Sequence, residues 1–200
     1  MQDETSTNST VTQKNLSVGG DNAGGDVNKP TYNISTATGD THAAVTFVAR
    51  LTKKYREEKE KNATFRQTVE KLEHYQTPAS GEPILTLEEK LQKGGREDLI
   101  NFALRTKEMF TKKLAKHSLF ESAQEINAFL LAEVFSRYHE FVYPHVCKSA
   151  SIEAVNALVR THIIDPLLGI LGENVLGHYS DDINGMLYFL TGNCHIKWIK

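Results

Sequence analysis

Four side chains in the C-terminal third of the chain have the chemistry of metal ligands or of an activated thiol. His145 and Cys147 flank one valine, and Cys194 directly precedes His195. Imidazole and thiolate groups are common zinc ligands, and a histidine beside a cysteine can activate the thiol. The spacing matches no zinc finger, ribbon or knuckle, and no motif for an orienting carboxylate or an oxyanion hole accompanies the pairs. We therefore expect no metal and no cofactor, with the cysteines packing as small apolar side chains.

Paired carboxylates are the other candidate for chemistry. Asp181 and Asp182 are adjacent and lie close to Glu173, but adjacent helix positions point in different directions. Ser180 or Asp181 is better explained as a helix N-cap, with Asp182 favoured at the positive end of the helix. The nucleotide-binding glycine fingerprints, G-x-S-x-G and H-E-x-x-H are absent from the sequence. The pattern favours a binding module, and we expect that the protein is not an enzyme.

Five lysines are the candidates for nucleic-acid binding: Lys53, Lys54, Lys112, Lys113 and Lys116. The whole chain has 23 Lys and Arg against 25 Asp and Glu, a net charge of −2, without the cationic surplus that coating nucleic acid requires. Glutamates interleave with the first two lysines, which favours a solvated helix face. Lysines near a helix C-terminus complement its dipole. A weak anion-binding surface at residues 105–116 is the alternative.

The first 41 residues differ in composition from the rest and form a separate polar arm. Glycine–glycine–aspartate occurs twice in tandem, at Gly19, Gly20, Asp21, Gly24, Gly25 and Asp26. A flexible linker is the simplest interpretation, while residues 15–18 and 31–35 could form a β-hairpin or a self-associating strand. The polar, acidic start is not a secretion signal, and no run reaches the ~20 apolar residues of a membrane span. We therefore expect a cytoplasmic protein.

Apolar spacing of three and four residues predicts an all-α domain of five to seven helices over residues 42–200. One helical pattern covers residues 43–75, and further helical patterns follow at 85–91, 96–116, 119–142, 151–164 and after 180. We expect Ser118 to cap the fourth of these with Glu121, and Tyr143-Pro144 to end it. Asp165-Pro166 should begin a new or kinked helix that ends at Gly172.

The tail at residues 173–198 has the densest pattern of apolar and aromatic residues in the chain. Ile183, Met186 and Leu187 begin one apolar helix face, and two interpretations are open for it: closure of the core or contact with a partner. We expect the rings of Tyr188 and Trp198 to be exposed and to bind a partner protein together with the Gly-Gly-Asp arm.

Two stretches resemble a known family. They are the Gly-Gly-Asp repeat with its continuation to residue 33, and the block FESAQEINAFLLAEV at 120–134 with the ending DDINGMLYFLTGNCHIKW at 181–198. Over residues 18–200 the chain resembles the C-terminal domains of effector proteins from bacterial ABC-three-component systems, which are predicted conflict or anti-phage modules. In such systems an ABC-type ATPase, a small middle component and an effector are encoded together.

The resemblance implies a non-enzymatic adaptor that docks onto the ATPase or the middle component. Effectors of these systems typically carry a toxic domain ahead of the C-terminal domain, whereas only a short polar arm precedes it here. We therefore expect a stand-alone adaptor or a remnant. A small nucleic-acid-binding protein that uses the five lysines is the alternative.

Overall fold

The described part of the chain is entirely helical in its regular structure. The structure is a computed structural model, and it describes residues 41–62, 65, 67–81 and 85–199. Seven helices and no strand occur there, which confirms the predicted all-α class. Residues 1–40, with Gly19, Gly20, Asp21, Gly24, Gly25 and Asp26, lie outside the described residues, so the alternatives for the arm stay predictions.

The helices follow one another in chain order. The first four are α1 (Thr41–Glu60), α2 (Glu70–Gln76), α3 (Leu87–Lys93) and α4 (Ile100–Lys116), with a 3₁₀ turn at Glu97–Leu99 before α4. Helix α5 joins Glu121–Arg137, a π-helical turn at Tyr138–Val142, and Tyr143–Cys147. Helix α6 joins Ile152–Val159, a π-helical turn at Arg160–Ile164, and Asp165–Leu171, and α7 is Ser180–Gly192.

Helix α5 is the centre of the domain. Its wide apolar arc includes Ile126, Leu130 and Val134, all at most 1% exposed, and it contacts α1, α2 and α7. A helix buried on several sides needs such a wide arc, since each neighbouring helix covers a different part of its circumference. The most extensive helix pair is α4 with α7. These two helices position the surface described below.

The single helical pattern predicted for residues 43–75 is wrong in its middle. Helix α1 ends at Glu60, Asn62 takes a positive φ of 48°, and α2 begins only at Glu70. In between, backbone groups bond to other parts of the fold: Phe65 N donates to the Leu119 carbonyl at 2.8 Å. Tertiary hydrogen bonds therefore replace the helical ones in a stretch whose apolar spacing is still helical.

The predicted cap of α5 is also wrong. The Ser118 hydroxyl donates to the Ala115 carbonyl at 2.8 Å instead of capping α5. Glu58, from α1, supplies the cap, because its carboxylate accepts from Ser122 N at 3.3 Å and from Ser122 Oγ at 2.6 Å. Glu121 pairs with Lys54 at 2.7 Å. The charged stretch of α1 thus helps to fix the start of the central helix.

Tyr143-Pro144 does not end α5, contrary to expectation. Tyr143 N donates to the Tyr138 carbonyl, five residues back, and Pro144 then lies in the first turn of Tyr143–Cys147. A π turn changes the hydrogen-bond register locally, and a proline without an N–H is best tolerated at such a restart.

The helix that was expected to be new or kinked at Asp165-Pro166 is present as Asp165–Leu171, and it continues from the second π turn. Asp165 N donates to the Arg160 carbonyl, and Gly172 (φ 55°) follows the last helical residue. The two π turns meet where the rings of Phe141 and His162 stack at 4.5 Å. Tyr143-Pro144 and Asp165-Pro166 thus each follow a π turn, where the helical register changes.

One helical stretch of the described chain has the length and apolar composition of a membrane span. It is Ile152–Leu171, with a mean hydropathy of 1.3 and 39% of that stretch buried. Core helices of soluble proteins share these properties, so the feature is weak evidence for a membrane.

Candidate interaction surface

The tail of the chain is part of the core, so the expectation of exposed rings at Tyr188 and Trp198 is wrong. Each is only 4% exposed. The Trp198 indole N–H donates to Thr191 Oγ1 at 3.1 Å, and the Arg96 guanidinium lies 4.4 Å from the Trp198 ring centre. A Cβ on Gly94 would lie 2.8 Å from Trp198 Cβ, so only glycine allows this approach. The rings of Tyr188 and Trp198 are therefore not available to a partner on the surface of the domain.

Arg96 is a buried cation that sequence reasoning did not single out. It is 4% exposed, and its Nε and Nη1 atoms have no hydrogen-bond partner. Burial lowers the pKa of Arg96, and it raises the pKa of Tyr188 to about 12 against the opposing effect of the Arg96 charge. The Trp198 ring face supplies a cation–π contact to this guanidinium. The only sequence signal was the Gly94-Gly95 pair before it.

The four metal-ligand candidates are not assembled into a site. His145 and Cys147 lie in the last turn of α5, while Cys194 follows α7 with its sulfur 3.0 Å from Lys90 Nζ. His195 Nε2 lies 3.0 Å from the Thr77 carbonyl. In residues 41–62, 65, 67–81 and 85–199, no three or more His, Cys, Asp or Glu side chains are grouped to hold a metal ion.

A buried polar network holds α4 against the start of α7. Asp182 is 1% exposed, and its carboxylate accepts from Lys113 Nζ at 2.6 Å and from Tyr179 N at 2.8 Å. Lys113 also donates to the Gly177 carbonyl. The expected cap at Ser180 or Asp181 is therefore wrong, because Tyr179 is the N-cap and Asp182 bonds its N–H.

His178, which precedes Tyr179 in the chain, makes a separate buried hydrogen bond to α5. Its Nε2 lies 3.0 Å from Asn127 Oδ1, and the Asn127 amide nitrogen donates to the Ala123 carbonyl, so the imidazole must be the donor. Burial lowers the pKa of His178 to about 4, with Asp182 opposing and Lys113 and His117 reinforcing the shift. The imidazole is thus neutral, and it serves packing rather than a ligand.

The five candidate lysines are partly neutralised by carboxylates. Lys54 pairs with Glu121, Lys113 with Asp182, and Lys112 with Glu108 at 2.6 Å. Lys53 and Lys116 are exposed. Of the predicted cationic surface, the part on α4 remains open to solvent at Lys112 and Lys116.

Helix α4 presents a line of exposed side chains with mixed chemistry, here called the α4 face: Phe102, Arg105, Met109, Lys112 and Lys116. Their spacing of three and four residues puts them on one side of the helix. Phe102 is 40% and Met109 36% exposed. The apolar spacing within residues 96–116 predicts that Phe102 points inward, and this is wrong: its ring lies 6.1 Å from the Tyr188 ring and the rest of its surface faces solvent.

The α4 face combines large apolar side chains with Arg and Lys. Met, aromatic residues and Arg are enriched in protein interfaces relative to the rest of the surface. Tyr179, at the N-cap of α7, is 67% exposed with its ring 5.3 Å from Lys113 Nζ, which adds a large ring near the C-terminal end of this face. The cations of this face were predicted from the sequence, whereas Met109 was not, because apolar spacing does not identify an exposed methionine.

The fold and this surface define the class: an all-α domain with a solvent-facing, apolar and cationic helix face. The family model for C-terminal domain 9 of the ABC-three component (ABC-3C) systems matches residues 86–198. The chain therefore belongs to this family, and the resemblance seen in the sequence is confirmed over residues 86–198. The matched range includes α3 to α7 and thus the α4 face. No curated protein and no solved structure matches the chain.

Proposed function

We propose that this domain is a protein-interaction module of a bacterial conflict system and has no catalytic activity of its own. It docks onto the ABC-type ATPase or the middle component of its system, in the cytoplasm, as part of anti-phage defence. Membership of the ABC-three-component family supports the conflict-system role. The α4 face is the observation that supports docking onto a partner protein.

The chemistry of the α4 face suggests the kind of partner surface. Arg105, Lys112 and Lys116 surround Met109, and one carboxylate, Glu108, lies beside Lys112. A partner surface with an apolar centre and acidic margins complements this arrangement, because buried interface cores are apolar and charges at the rim set orientation and specificity.

Co-purification tests the proposal. The full chain is co-expressed with the ATPase and the middle component of its own system, each tagged in a separate experiment. Met109→Glu should reduce recovery of the chain about tenfold, since a new carboxylate would be desolvated at the interface. Leu104→Glu is the matched control, because it adds the same charge at an exposed apolar residue of α4 (38% exposed) that lies on another side of the helix than the α4 face.

Two outcomes would contradict the proposal. One is recovery of neither component with the wild-type chain. The other is equal recovery of the Met109→Glu and Leu104→Glu variants, which would remove the α4 face from the interface. Nuclease treatment of the lysate should leave recovery unchanged.

Nucleic-acid binding through Lys53, Lys54, Lys112, Lys113 and Lys116 is the alternative function. The exposure of Lys112 and Lys116 beside Arg105 favours it. Such binding would weaken steeply with salt, because each phosphate contact releases counterions. Fluorescence anisotropy with labelled DNA and RNA at increasing salt distinguishes the two functions.

A further inference from the structure

The five side chains of the α4 face follow the spacing of a helix–helix contact. Counted along the chain, the steps from Phe102 to Arg105, Met109, Lys112 and Lys116 are three, four, three and four residues. This alternation is the heptad spacing of positions a and d, which keeps one line of side chains directed at a neighbouring helix. All five are exposed, and the line is ~21 Å long, since a helix rises ~1.5 Å per residue. The α4 face therefore has the geometry of one half of a two-helix contact.

The exposed cations of α4 all belong to this face. Among the described residues, no carboxylate lies within ion-pair distance of Arg105 or Lys116, and Lys112 pairs with Glu108 at 2.6 Å. Glu108 lies on the other exposed side of the helix, which it shares with Leu104. Two of the three cations thus have no counter-charge within the described part of the domain.

The positive charge of the α4 face disfavours a second copy of this chain as its occupant. Two copies paired through this face would bring Arg and Lys side chains of one copy against those of the other, and facing like charges are destabilising. A partner strand is disfavoured too, because the described residues contain no sheet edge and the backbone groups of α4 are bonded within the helix. The occupant is therefore recognised through side chains, and it supplies negative charge.

The apolar positions set the spacing that the occupant must match. Phe102 and Met109 are 40% and 36% exposed and lie seven residues apart, which is ~10 Å along the helix. Apolar side chains at every seventh position of a partner helix match this distance. A phosphate backbone would satisfy the cations but would leave the exposed surface of Met109 without an apolar contact.

We propose that the α4 face binds an acidic amphipathic helix of the partner protein. Apolar side chains of that helix pack against Phe102 and Met109. Its Glu or Asp side chains, three or four residues from each apolar position, pair with Arg105, Lys112 and Lys116. Cations at such positions favour an acidic partner over other helices, because a mismatched helix would leave them unpaired. That the helix belongs to the ATPase or the middle component rests on the proposed function, whereas the helix chemistry rests on the α4 face alone.

Titration of the ¹⁵N-labelled full chain with designed peptides tests the helix chemistry by NMR. The probe is an alanine- and glutamine-rich peptide of about three heptads, with leucine and glutamate alternating at spacings of three and four residues. It should shift the amide signals of residues 102–116. A peptide with lysine in place of each glutamate should bind at least about tenfold more weakly, because its charges meet Arg and Lys. A central proline in the glutamate peptide should abolish binding, since proline breaks the helix.

Charge reversal on the protein tests the pairing from the other side. Arg105→Glu combined with Lys116→Glu should reverse the preference, so that the lysine peptide binds at least about tenfold more tightly than the glutamate peptide. Both positions are exposed, so a dispersed spectrum should show an intact fold. Met109→Ala should weaken the glutamate peptide without reversing the preference. Leu104→Glu, on the other exposed side of α4, is the control and should leave the preference unchanged.

Three peptide results would overturn the proposal: equal binding of the glutamate and lysine peptides, an unchanged preference in the double variant, or undiminished binding of the proline peptide. A dimer of the chain alone that Met109→Glu dissociates, measured by sedimentation, would assign the face to a second copy instead. Tighter binding of duplex DNA than of the glutamate peptide at physiological salt would assign it to nucleic acid.

The double variant is also used in the co-purification experiment, where it should lose the partner as Met109→Glu does. Discrimination between the peptides without recovery of either component by the wild-type chain contradicts the proposed function and leaves the helix chemistry intact. Recovery of a component that Met109→Glu abolishes, without discrimination between the peptides, contradicts the helix chemistry alone.

Discussion

At the scale of single residues, the domain buries ionisable groups whose polar atoms are not all paired. His178 Nδ1 and Asp182 Oδ1 have no hydrogen-bond partner, and the same holds for two nitrogens of Arg96. Each unpaired buried polar atom costs free energy. The other contacts of these residues must offset that cost in the folded state. For His178, burial also disfavours the charged imidazole, and this lowered pKa makes stability depend on pH.

The free energy of unfolding should fall as pH decreases from 6.5 toward 4. Burial lowers the pKa of His178 from 6.5 to about 4, so in this window the unfolded chain takes up a proton that the folded chain does not. Stability is therefore lost as pH falls, by on the order of 3 kcal/mol for this group. Burial also lowers the pKa of His117 and His195, which act in the same direction. Urea unfolding at several pH values measures the effect.

His178→Gln isolates the contribution of this histidine. The glutamine amide nitrogen can still donate to Asn127, but it does not titrate, so the pH dependence between 6.5 and 4 should become shallower. His145→Gln is the control, since His145 is exposed at the end of α5. An unchanged slope in His178→Gln would show that the histidine is not the titrating group.

At the scale of elements, the close contact of α4 with α7 requires a glycine, Gly185, whose lack of a Cβ lets the two helices approach. A Cβ built on Gly185 would meet the Thr106 carbonyl and would lie 2.7 Å from Phe110 Cβ. A backbone carbonyl cannot move away as a flexible side chain can. Gly185→Ala should therefore reduce the free energy of unfolding by about 1–3 kcal/mol, even though alanine favours helices.

Gly169→Ala is the matched control for this prediction. Gly169 is an exposed helical residue of α6, and a Cβ there meets nothing within 4 Å. The substitution should stabilise the protein by up to about 1 kcal/mol, because alanine loses less backbone entropy than glycine in a helix. Chemical unfolding followed by CD measures both variants, and equal effects would contradict close packing at Gly185.

Element types were predictable from apolar spacing, whereas boundaries and exposure were not. The period of three and four residues identified α4 to α7, because a helix must bury one face. It could not show that Gln124 and Leu119 bond the backbone near Phe65 and Val69, which interrupts the pattern after α1. Nor could it show that Phe102 lies at the edge of the core, since spacing gives a face but not its width.

At the scale of the whole molecule, the tail ties three helices together. Trp198 lies against Arg96 after α3, Tyr138 of α5 donates its hydroxyl to the Lys197 carbonyl, and the Trp198 indole bonds Thr191 of α7. Lys90 of α3 donates to the carbonyls of Thr191 and Gly192 at the end of α7. The sequence pattern suggested that the tail binds a partner protein. In the structure the tail instead connects α3, α5 and α7 within the domain.

This arrangement predicts that the tail unfolds together with the helices. Trp198 is the only tryptophan, so its fluorescence reports the tail, while far-UV CD reports all helices. The two urea transitions should coincide, because a tail bonded to α3, α5 and α7 belongs to one cooperative unit.

Trp198→Ala should lower the free energy of unfolding by about 3–5 kcal/mol, as expected for loss of a large buried ring, with helical CD as the readout. A fluorescence transition at lower urea than the CD transition, with full stability in Trp198→Ala, would mean that the tail is only loosely attached and free to bind a partner.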